Sequence, residues 1–87
     1  MYKFNYESCE IEFDDGNIIN LSNQETELFN ILYNNKGKVM SIEELNKMLY
    51  GDEGKINTTK ILIFRLRQRL DGKIKIRTVY SKGYILK

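Results

Sequence analysis

The sequence has no histidine, no proline and no tryptophan, and its one cysteine is Cys9. A single thiol cannot close an internal disulfide, which fits a reducing compartment, so the cytoplasm is the expected location. Without histidine the commonest general base is missing, and neither a glycine-rich phosphate loop nor a metal-spaced cluster of ligands occurs. The acidic pairs Asp14-Asp15, Glu43-Glu44 and Asp52-Glu53 fall in a turn, a helix start and a loop, where solvation or capping accounts for them. An enzyme is therefore not expected, nor a metal or cofactor. No apolar run approaches the roughly 20 residues of a membrane span. The start, MYKFNYESCEIEF, lacks the basic and then apolar segments of a secretory signal. No membrane partner is expected. No low-complexity linker and no internal repeat divides the 87 residues, which are read as one domain, 1–87.

One further shortage is local: acidic residues all but vanish from the last third. Up to Gly54 there are four lysines against eleven acids, a net of −7. From Lys55 onward ten lysines and arginines face only Asp71, a net of +9. The overall charge of +2 hides this segregation. A concentrated basic surface is the electrostatic footprint of a polyanion partner.

Periodicity supplies the elements. Tyr2 to Tyr6 and Cys9 to Phe13 alternate as half-buried strands. Asp15-Gly16 reads as a hairpin turn with both residues at positive φ, and Asn17 to Leu21 as the return strand. The acids Glu10, Glu12 and Asp14 on the outer face of this sheet argue against it as a nucleic-acid surface. Ser22 with Glu25, and Ser41 with Glu44, are capping boxes opening two helices. The first should bury Leu28, Ile31, Leu32 and part of Phe29, and stop at Gly37. The second should bury Leu45, Met48 and Leu49, and run to about Tyr50. After a third helix, Asp71-Gly72 marks a turn. Lys73 to Val79 and Gly83 to Leu86 then read as a basic hairpin with Tyr80, Ser81 and Lys82 near its tip.

The third helix, Asn57 to Leu70, organises the rest. Thr59, Leu62, Ile63, Leu66 and Leu70 fall on one stripe at about 100° per residue and are expected to face the core. Lys60, Ile61, Phe64, Arg65, Arg67 and Gln68 fall on the opposite side with no acid among them. Cations, an amide and apolar groups together match what a DNA major groove offers. Ile61 and Phe64 are expected to touch thymine methyls or sugar edges and to favour AT-rich sites. The competing reading packs them against the hairpin or a neighbouring subunit.

Four blocks in order, Leu21-Ser22 with Glu25, Glu27 and Leu28, VMSIEEL at 39–45, LRQRL at 66–70 and TVYSKGY at 78–84, resemble the winged helix-turn-helix effector domain of OmpR/PhoB-type response regulators. The fold implied is α+β, with an N-terminal antiparallel sheet, three helices and a C-terminal β-hairpin wing. The resemblance implies double-stranded DNA as partner, with helix 57–70 in the major groove and the wing, about 74–87, at the minor groove. It places Asn57, Thr58, Ile61, Leu62, Phe64, Arg65 and Arg67 within reach of DNA, with Leu62 either edge or core. Arg65 becomes a base or phosphate contact, Arg67, Thr78 and Tyr50 phosphate contacts, and Tyr80, Ser81 and Lys82 neighbours of the minor groove.

The family also implies a receiver domain, absent from this chain, and binding to direct repeats as a tandem dimer, with a lone effector domain monomeric. RNA polymerase would meet the loop 51–56, with Asp52 and Glu53 as candidate contacts. The chain departs from the family's pattern at four positions: Tyr80 replaces an arginine, Ser81 a glycine, Ile42 an arginine and Phe64 a basic residue. The three charges lost at Tyr80, Ile42 and Phe64 lower the expected salt dependence of binding. They also keep a second function open, a winged-helix protein-interaction module with weak or no DNA binding.

Overall fold

A computed structural model describes residues 1–87. The elements in order are β1 (Tyr2–Asn5), β2 (Glu10–Phe13), β3 (Ile18–Asn20), α1 (Asn23–Asn34), α2 (Ile42–Tyr50), a 3₁₀ turn (Gly51–Glu53), α3 (Ile56–Leu70), β4 (Ile76–Val79) and β5 (Gly83–Leu86). No helix is long and apolar enough to cross a membrane.

The first three strands form an antiparallel sheet in the order β1-β2-β3, with Phe4 opposite Ile11 and Ile11 opposite Ile19. Alternation turns Tyr2, Phe4, Ile11, Phe13 and Ile19 toward the helices and leaves Lys3, Glu12 and Ile18 outside. Cys9, expected inside a strand, instead turns the chain into β2 with a left-handed φ of 57°. Its thiol donates to Asn23 Oδ1. In the β2–β3 turn only Gly16 has positive φ, at 88°, and Asp15 does not. The Gly16 N–H donates to the Phe13 carbonyl and the Phe13 N–H to the Asn17 carbonyl. That is a turn closed by a left-handed glycine, in which the single residue lacking a Cβ takes the position costly to others.

Both capping boxes are formed. Ser22 and Ser41 accept from the backbone of Glu25 and Glu44, whose carboxylates accept in return from the serine N–H groups. The Ser41 N–H and hydroxyl hold the Glu44 carboxyl below its ordinary value of 4.5. Phe29 proves fully buried rather than partly so. Its ring meets Phe4 edge-on, 4.8 Å between centroids, under the sheet. Ile31 is only half-buried. On α2 the expectation for Met48 fails: it is 55% exposed, while Asn46 is buried in its stead. The Asn46 amide donates to the Gly54 carbonyl at 3.0 Å and accepts from the Thr59 hydroxyl at 2.7 Å. Asn46 sits beside the apolar stripe Ile42, Leu45 and Leu49, which faces the core, while Met48 falls outside that stripe.

The core joins Leu28, Phe29 and Leu32 of α1, Leu45 of α2, and Leu62, Ile63, Leu66 and Leu70 of α3 to Ile11, Ile19, Ile74, Ile76 and Leu86. The buried stripe of α3 is the one its periodicity specified, which also settles Leu62 as core. The last hairpin is shorter than its alternation suggested. Asp71 is left-handed, residues 71–75 return the chain beneath α3 with Ile74 buried, and pairing begins only at Ile76, opposite Leu86. The hairpin is fastened to the body through Met40, whose N–H and C=O both pair with Tyr84 at 2.8 and 2.9 Å. A Cβ at Gly83, where φ is +144°, would lie 2.1 Å from the Met40 carbonyl oxygen. A strand on a helical body can approach this closely only where a side chain is missing.

Candidate nucleic-acid interface

With the stripe Thr59, Leu62, Ile63, Leu66 and Leu70 turned inward, Asn57, Thr58, Lys60, Ile61, Phe64, Arg65 and Gln68 are all exposed. Ile61 and Phe64 stand 53% and 60% exposed. A helix with large apolar groups in water on its outer side, bordered by cations, has surface to cover. α3 is seated from below. Thr59, with no exposure at all, ties α3 through Asn46 to the carbonyl of Gly54, and so joins helix, 3₁₀ turn and α2 in one buried polar link.

The hairpin lies beside this helix. Lys60 shares with Ile42, Glu43, Thr78, Ser81 and Lys82 an open groove of about 240 Å³. The N-terminal half of α3 and the hairpin tip therefore border one surface. At the tip Tyr80 is 92% exposed, and Ser81 takes a left-handed φ of 54°. A backbone position of this kind suits the glycine that Ser81 replaces. On the other flank Arg65 and Gln68 border an open hollow of about 730 Å³ with Ser22 and Gln24 of the α1 start.

Not every cation is free for a partner. Arg67, expected on a phosphate, reaches the hairpin: Nε and Nη2 donate to the Ile76 carbonyl at 3.1 and 2.8 Å, and Nη2 also donates to Thr78 Oγ1 at 2.7 Å. Its guanidinium lies over the Tyr84 ring, 5.3 Å from the centroid. Arg67 is thus a clasp between α3 and the hairpin, with only Nη1 making no hydrogen bond. Arg69 points to the opposite side and pairs with the buried Glu25 at 3.2 Å. Lys73 lies over the Phe13 ring of the sheet. Charge counting along the chain could not separate these three from Lys60, Arg65, Arg77 and Lys82, which are exposed and make no ion pair.

The expectation for Tyr50 also needs correction. Its hydroxyl is buried and makes no hydrogen bond, so that oxygen does not face a phosphate. Thr78 remains exposed, and its oxygen, while accepting from Arg67, keeps a proton to donate. Asp52 and Glu53 are exposed on the 3₁₀ turn. Sequence reasoning missed Asn46, Gly83 and Met40. The two residues besides glycine look like ordinary helix and strand positions, and only the packing reveals what they hold in place.

Comparison with known proteins bears on the same elements. A family described as transcriptional regulatory protein, C terminal, matches residues 16–86. The response regulator PmrA of Pseudomonas aeruginosa is 35% identical over 71 residues, 79% of this chain and 32% of that protein. The transcriptional regulatory protein CssR of Bacillus subtilis is 29% identical over 85 residues, 95% of this chain and 37% of its own. The chain thus spans about a third of the length of these relatives. The crystal structure of the CssR DNA-binding domain superposes with a TM-score of 0.84 at 28% identity, covering 100% of both chains. Sheet, three helices, clasped hairpin and a match over most of the length lead to one assignment: the chain belongs to the family of transcriptional regulatory protein C-terminal domains, the OmpR/PhoB-type winged helices.

Proposed function

We propose that this domain binds double-stranded DNA on behalf of a transcriptional regulator of the two-component type, with α3 in the major groove and the hairpin as a wing at the neighbouring minor groove. The observation that carries this reading is the acid-free outer side of α3 bordering the same groove as the wing tip, with Lys60 and Lys82 on either side of it. A relative named as a response regulator, another named as a transcriptional regulatory protein, and a similar domain named as DNA-binding support it. Asn57, Thr58, Lys60, Ile61, Phe64, Arg65 and Gln68 face the major groove in this reading. Thr78, Tyr80, Ser81 and Lys82 face the backbone and minor groove, and Arg67 acts chiefly by holding the wing. Direct-repeat sites bound by tandem copies, and RNA polymerase contact through Asp52 and Glu53, are part of the same proposal. So is the single domain 1–87.

A duplex-DNA titration by mobility shift at several salt concentrations tests it. If Lys60, Arg65 and Lys82 each neutralise one phosphate, log affinity should fall with log salt at a slope of about −2.7, or about 500-fold per tenfold rise in salt. The exposure of Ile61, Phe64 and Tyr80 favours a second reading, a protein-binding face. That reading, a protein-interaction module with weak or no DNA binding, requires the steep salt-dependent duplex complex to be missing.

A further inference from the structure

The outer surface of α3 is divided more sharply than its composition suggests. Asn57, Ile61, Phe64 and Gln68 are spaced four, three and four residues apart, so at about 100° per residue they form one ridge. All four are exposed, and the ridge lies directly opposite the buried stripe through Leu62, Leu66 and Leu70. It carries no charge. Lys60 lies to one side of it and Thr58 and Arg65 to the other, while Arg67, on the Lys60 side, is held by the wing. A helix seated in a major groove presents its outermost ridge to the base edges and its flanks to the two phosphate rims. Charge here stands at the flanks and is missing from the centre.

The geometry points to an uncharged ridge that selects thymine-rich steps, with Ile61 and Phe64 covering the C5-methyl groups of adjacent thymines. This inference rests on the DNA-binding reading above and adds the chemistry of what is read. Ile61 and Phe64 are about 4.5 Å apart along the helix axis, three residues at about 1.5 Å each. Successive bases are about 3.4 Å apart along one strand, so the two side chains can address neighbouring pairs. Guanine presents two acceptors at that depth, and neither Ile61 nor Phe64 has a donor to satisfy them. The amides at the ridge ends, Asn57 and Gln68, have the donor and acceptor that adenine N7 and N6 require. Affinity resides in the flanking cations and discrimination in the neutral centre.

Selection of bound sites from a random duplex library, followed by resynthesis of the selected duplex with deoxyuridine for thymidine, tests the inference. The exchange removes only the methyl groups and leaves every Watson–Crick and groove hydrogen-bonding atom in place. Selected sites should carry adjacent thymines. Deoxyuridine should weaken wild-type binding about four-fold for each methyl covered, the value of one such group withdrawn from water. The paired substitution Ile61→Ala with Phe64→Ala should abolish that sensitivity while leaving the slope of affinity with salt unchanged. Both positions are more than half exposed, so the variant should keep its fold. Equal affinity for the two duplexes, or selected sites centred on G·C pairs, overturns the inference and leaves DNA binding standing. Failure to bind any duplex in a salt-dependent way removes both together.

Discussion

Arg67→Ala offers the sharpest test of how α3 and the wing are held together. The side chain gives two nitrogens to the Ile76 carbonyl and one hydrogen bond to Thr78, and it covers the Tyr84 ring. Hydrogen bonds from a charged donor contribute about 1.5–3 kcal/mol each when well shielded. The two donated to a single carbonyl count as about one, and the bond to exposed Thr78 is worth less. The cation–ring contact adds about 0.5–1 kcal/mol. Releasing the arginine returns about 1–2 kcal/mol of side-chain entropy, so the net loss should be about 2 kcal/mol. For a domain of this size that lowers the melting temperature by roughly 10 °C.

Thermal unfolding followed by circular dichroism measures this directly. Arg67→Lys should recover less than half of the loss, since an ammonium cannot reproduce the planar fork. A cycle with Thr78→Val should reveal coupling between the two positions. DNA affinity should fall through disorder of the wing, with little change in its salt slope. An unchanged melting temperature together with a slope shallower by about 0.9 would mean that Arg67 neutralises a phosphate and that the clasp is unimportant.

Other consequences can be checked with the same domain. Gly83→Ala forces a methyl onto the Met40 carbonyl oxygen and should cost about 3 kcal/mol or more; denaturant unfolding reads it, and a midpoint near that of the wild type would mean the wing is not seated as described. Thr59→Val leaves Asn46 Oδ1 buried without its donor and should cost about 1–3 kcal/mol, whereas Thr59→Ser keeps the bond and should lose less. The Glu44 carboxyl is held below its ordinary 4.5, so its contribution is fully present above pH 4.5 and disappears as pH falls through the lowered folded value. Glu44→Gln keeps an oxygen for the Ser41 N–H but cannot titrate. The stability difference between wild type and this variant should therefore shrink on acidification below pH 4.5, and a difference constant from pH 6 to pH 3 contradicts the assignment.

Several parts of this architecture could be read before any coordinates. The capping boxes at Ser22 and Ser41 are local: one hydroxyl and one carboxylate three residues on suffice. The buried stripe of α3 follows from spacing, because Leu62, Leu66 and Leu70 can reach a core only if they share a side. What failed had non-local causes. Met48 lies off the stripe of Ile42, Leu45 and Leu49 that faces the core, and the interior position beside that stripe went to Asn46, whose amide serves a carbonyl eight residues on and a hydroxyl thirteen residues on. Ile74 reached the core from an irregular segment instead of a strand, because the left-handed turn at Asp71 redirected the chain.

The amino-acid sequence by itself determined where the elements lie, which side of α3 is apolar and that positive charge gathers after Lys55, since each of these depends on neighbours within a few residues. Tertiary structure alone decided which cations remain available. Arg67 turns to the wing, Arg69 to Glu25 and Lys73 to Phe13, while Lys60, Arg65 and Lys82 stay exposed. The physical reason is that a charge is counted wherever it occurs, but its partner is set by distance in space, and distance is what the packing of helix, sheet and hairpin creates.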